Sequence, residues 1–141
     1  QEVIKMNVQN EKCVIVIDES LPIGIIANTA AIMGISLGKN MPHVVGSDVQ
    51  DLDGYRHPGI IELPVPILKS SSEKIKELRE KLYQEDYSEL TVIDFSDLAQ
   101  SCNFTYKMSQ SHESSLEYFG IAICGSKKKI NKLTGSMPLL R

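Results

Sequence analysis

No apolar run in the chain approaches the roughly twenty residues that a helical membrane span requires, so no membrane partner is expected. Cysteine is scarce: Cys13, Cys102 and Cys124 are three in number, far apart, and two of them sit inside apolar runs. That pattern offers no disulfide framework and predicts reduced, packed thiols in a cytoplasmic protein. Neither sign of charge is in large excess. With 15 Lys and Arg against 18 Asp and Glu, the formal net charge is -3, which excludes a wholly basic nucleic-acid surface. The opening residues 1–11 are polar and lack the apolar core of a signal peptide. No set of residues spells out a reaction, and neither cofactor nor metal is expected.

What is present suffices for one domain. At 141 residues and 42% hydrophobic, the chain can bury about two-thirds of its unfolded surface and fold as a single unit over residues 1–141. Its organising stretch is CVIVIDESLPIGIIANTAAIMGISLG, residues 13–38. Cys13 to Ile17 is an apolar, mostly β-branched run that suits a strand covered on both faces, and Asp18 and Glu19 end it. Pro22 fits a first helical turn and Gly38 a left-handed stop. Along the helix between them, Ile23, Ile26, Ala27, Ala30, Met33 and Leu37 make the face expected to meet the sheet. Ile25, Asn28, Thr29, Ile32 and Ser36 share another stripe, where two large isoleucines among short polar groups require a cover. Gly24, Ile25, Asn28, Thr29 and Ile32 are therefore candidates for a ligand groove or a subunit interface.

Residues 39–59 break the periodicity with Pro42, Gly46, Gly54, Pro58 and Gly59, and Asp53-Gly54 predicts a hairpin from Val49 to His57 lying over the domain. Asp48, Asp51 and Asp53 lack the ligand spacing of a calcium loop and read as turn formers. His57, beside this excursion, is a candidate acid/base group. Ile60 to Leu68 has the composition of an edge strand interrupted by Pro64 and Pro66. Ser70 and Glu73 then predict a capping box, opening a charged helix whose inner face is Ile75, Leu78 and Leu82.

Leu90 to Phe95 is the next strand, and it delivers Asp94 and Asp97 to its end as the first strand delivers Asp18 and Glu19. If the two strands are parallel neighbours, these carboxylates meet outside one sheet edge, where α/β folds place their ligands. Capping of the following helices is the competing role. Glu117 to Cys124 is the last strand, followed by Ser126, Lys127, Lys128 and Lys129 at the start of a short helix. Free amides and three ammonium groups there suit a phosphate or an RNA backbone, although no aromatic platform interleaves the lysines.

Three stretches, CVIVIDESLPIGIIANTAA, TVIDFSDLAQ and KKKINKLTGSMPLLR, resemble a bacterial family of uncharacterised proteins grouped with the type II peptidyl-tRNA hydrolases. The resemblance implies a three-layer α/β/α domain on a four-stranded mixed sheet, commonly a homodimer. It places Asp94 at the position of a catalytic aspartate and Ile25 at that of the catalytic lysine, so an aliphatic group replaces an ammonium. Losing such a charge removes a stabiliser commonly worth a hundredfold or more in rate. Two readings follow. In one, a homodimer that has lost the hydrolase lysine binds a partner or small ligand. In the other, Asp94, with Asp18 and His57, cleaves a peptidyl-tRNA or a related acyl or aminoacyl substrate, and Lys127 to Lys129 attract its phosphate.

Overall fold

The computed structural model describes residues 10–100 and 103–141, so the polar segment 1–11 falls largely, and Cys102 wholly, outside the described residues. Strand β1 (Glu11–Asp18) is central. It pairs in parallel with β4 (Ile67–Ser70) and antiparallel with β6 (Tyr118–Ser126), while β5 (Thr91–Ser96) pairs antiparallel with β6. The result is one four-stranded mixed sheet in the order β4-β1-β6-β5. β6 thus lies between β1 and β5, which run parallel but are not neighbours.

The run Cys13 to Ile17 is buried on both sides, as its composition predicts. Helix α1 (Ile23–Asn40) covers one face, where Met33 packs with Ile15, Ile17, Phe95 and Ala122. Helices α2 (Ser72–Leu82) and α4 (Lys127–Thr134) cover the other, where Ile75, Leu78, Leu82 and Ile130 pack on Val14, Val16, Ile121 and Ile123. The short helix α3 (Phe104–Ser109) occupies the connection into β6.

Several expected boundaries move, each for a local reason. Helix α1 runs through Gly38 to Asn40, and Pro42 two residues on blocks its continuation. Ser71, one residue later than expected, caps α2 by accepting a 3.2 Å bond from the Lys74 amide. The prolines of residues 60–68 stay outside β4, which starts at Ile67. As predicted, β4 is an edge, and residues 137–140 cover it through Lys69 N to Pro138 O (2.9 Å) and Leu140 N to Ile67 O (2.8 Å).

The expectation of reduced thiols is corrected at two of the three cysteines. Cys13 and Cys124 lie directly opposite in the β1–β6 register, with Cα atoms 4.1 Å apart, and are joined by a disulfide. Antiparallel pairing brings together residues 111 apart in sequence, which spacing alone could not reveal. Cysteine usage therefore no longer argues for the cytoplasm. No described helix is long and apolar enough to cross a membrane.

Candidate functional site

The sheet keeps apart the three groups that acid/base catalysis would need together. Asp18 is buried at the end of β1, where its Oδ1 accepts bonds from the Ser20 amide (3.0 Å) and hydroxyl (2.7 Å) and closes a tight turn. Asp94 lies on β5, level with Ile121 and Val16 and so two residues short of Asp18 along the sheet. With β6 between them, the two carboxylates stand on the order of 10 Å apart or more. Asp94 alternates with Ile93 and Phe95, which pack toward α1, so it faces α2 and accepts a 2.8 Å bond from Arg79 Nε. Arg79 is also stacked on Tyr83, 3.9 Å from the ring centre. A guanidinium therefore does meet Asp94, but from the sheet face opposite Ile25.

His57 is on neither face. It sits in a ribbon, β2 (Val49–Gln50) and β3 (Arg56–His57), whose residues 47–58 are all exposed, so the hairpin stands clear of the domain. Asp51 builds its turn, accepting from the Asp53 and Tyr55 amides and from His57 Nε2 at 2.9, 3.0 and 2.8 Å. Those bonds, His57 first, hold the Asp51 carboxyl below its ordinary range. At the base of the ribbon Gly59 meets the Gly46 carbonyl so closely that any Cβ would collide with it. The aspartates are turn formers, as their spacing predicts, and Asp48 accepts a bond from the Gly59 amide.

Helix α1 rolls differently from its predicted orientation. Thr29 is fully buried and its hydroxyl has no partner, whereas Ile23, expected inside, is 85% exposed and Ala27 is exposed. Ile25 is half-buried, and Gly24, Asn28 and Ile32 are exposed. The outer face now reads Ile23, Ala27, Ala31, Gly34 and Ile35, with Ile35 at 74% exposure, and residues 20–38 carry no charge at all. A water-facing helix surface would ordinarily be polar. In the ribbon Val49, Leu52 and Tyr55 are exposed as well, and so is Ile60 just after it.

The lysine run is divided. Lys129 is tied to Glu89, whose carboxyl it holds low, and donates a 2.6 Å bond to the Asp86 carbonyl. Ser126 precedes α4 without capping it, and Lys127 and Lys128 border a shallow depression with Asn10 and Asn131. Sequence reasoning missed a larger basic groove between α2 and α4. Its lining spans Glu19 to Pro138, so only the arrangement of Lys69, Lys74, Lys81 and Lys132 in space reveals it. A helical spacing signal existed for Lys74 and Lys81 alone.

No cluster of His, Cys, Asp or Glu among the described residues could hold a metal ion. Residues 11–141 match the model of a family described as a protein of unknown function, DUF2000. No curated protein matches the chain. A solved structure of a protein of unknown function from Agrobacterium tumefaciens strain C58 is similar over 92% of this chain and 97% of that one, with a TM-score of 0.81 and 14% identity. That likeness is one of fold.

Proposed function

Because the chain belongs to the DUF2000 family of proteins of unknown function, we propose a function from its geometry: a homodimeric ligand- or partner-binding protein, not a hydrolase. On this reading the scaffold is similar to that of the type II peptidyl-tRNA hydrolases but has lost their cation at Ile25. The observation that carries it is the charge-free outer face of α1. A two-fold contact sets the same patch against itself, and an uncharged apolar patch is complementary to its own copy. A charged partner would leave its own charges desolvated and unpaired there. Ala27, Ala31 and Gly34 would let two α1 backbones approach closely.

Area argues that the ribbon joins the contact. An 18-residue helix is about 27 Å long, and a strip about 10 Å wide along it is on the order of 300 Å². A standard interface buries roughly 800 Å² per partner. The apolar side chains of residues 49–60 supply the kind of surface needed to make up the difference. Light scattering on the eluted protein tests this. The native chain is expected to have twice the mass of one copy and Ile35→Asp that of one copy, with unchanged circular dichroism. A monomeric native protein overturns the proposal, as does peptidyl-tRNA turnover that is lost on Asp94→Ala.

A further inference from the structure

The groove between α2 and α4 lies on the face of the sheet opposite α1 and so is independent of the dimer contact. It is an open groove of about 690 Å³, within the range of small-molecule sites. Four ammonium groups border it: Lys69 at the end of β4, Lys74 and Lys81 on α2, and Lys132 on α4. Against them stand only Glu19 and Glu77, on a chain whose net charge is negative. Glu19 is 3.7 Å from Lys69, and Lys74, Lys81 and Lys132 form no ion pair among the described residues. With four lysines against two carboxylates, the lining carries an excess of positive charge that favours an anion.

The remaining lining fits the same kind of ligand. Ser70, Ser71 and Ser136 present hydroxyls, and α2 begins at Ser72, so its first amides face the same end. The site also lies outside the carboxyl ends of β1 and β4, the one parallel pair among the described residues of the sheet. The floor is apolar, made by Leu78, Leu133, Met137 and Pro138, and no aromatic ring lines it to stack a base. We infer that this groove binds a small phosphate ester carrying a hydrocarbon portion, the phosphate on Lys74, Lys81 and Lys132 and the hydrocarbon on Leu133 and Met137.

Calorimetry on the full chain with hexyl phosphate, inorganic phosphate and hexanol tests the assignment. Hexyl phosphate should bind about tenfold more tightly than inorganic phosphate, because the floor adds apolar burial, and hexanol should give no heat. Lys132→Gln and Lys74→Gln should each weaken hexyl phosphate about tenfold, since each removes a charge-assisted contact. Lys128→Gln, outside the groove, should leave it unchanged. Leu133→Ser should reduce binding of hexyl phosphate but not of inorganic phosphate. No heat with hexyl phosphate, or equal affinity in all the lysine variants, overturns the inference. So does a short single-stranded RNA that binds more tightly than hexyl phosphate and is weakened by the same two substitutions. Each of these results leaves the oligomeric state untouched, so this inference and the dimer fail separately.

Discussion

Helices α1 and α2 lie on opposite faces of one sheet and present opposite surfaces to their surroundings. Helix α2 follows the usual rule: Ile75, Leu78 and Leu82 are buried, and Glu73, Lys74, Glu77 and Glu80 are exposed. Helix α1 buries Thr29, Met33 and Leu37 yet leaves isoleucines, alanines and glycines outside. One helix is complete when the domain folds, and the other is left with a surface suited to a further layer. The two proposals follow this division: a second copy is proposed to cover α1, and a charged small molecule is proposed to sit between α2 and α4.

Three substitutions or treatments would break or sharpen this contrast. The largest effect is expected on the α1 side, where the disulfide closes a loop of 111 residues and the chain-entropy argument gives about 5 kcal/mol of stability. Denaturant unfolding with and without reductant should show that loss, and equal midpoints would mean that the bridge contributes nothing. On the α2 side, Arg79→Ala should cost about 2 kcal/mol, because it leaves a half-buried carboxylate at Asp94 without its donor. An unchanged midpoint would assign that pair to the surface. The smallest effect has the opposite sign. Thr29→Val removes a buried hydroxyl that has no partner and should stabilise the fold by about 1 kcal/mol, measured as a rise in melting temperature. A fall would show that the hydroxyl is bonded in solution.

The same contrast explains what could be read from the chain. The inner face of α2 was legible because charge marks its outer face. The roll of α1 was not, since a helix apolar all round has no polar side to fix its orientation, and packing against Gly120 turned Thr29 inward. There a Cβ on Gly120 would come within 3.0 Å of Thr29 and 2.8 Å of Met33, so the absence of a side chain on β6 makes the space. Asp94 was legible as a strand carboxylate but not as the partner of Arg79, 15 residues earlier on another element. His57 was legible as part of a turn, and the turn's projection away from the domain was not.

By itself the sequence determined the order of elements, the strand buried on both faces, the edge position of β4 and the hairpin at Asp53-Gly54. These depend on local periodicity and on backbone chemistry that proline and glycine dictate within a few residues. The tertiary structure alone decided that β6 separates Asp18 from Asp94, that Cys13 meets Cys124, and that four lysines from three elements share one groove. Such contacts depend on strand order and register, which arise from the packing of the whole core and leave no mark at the positions they bring together.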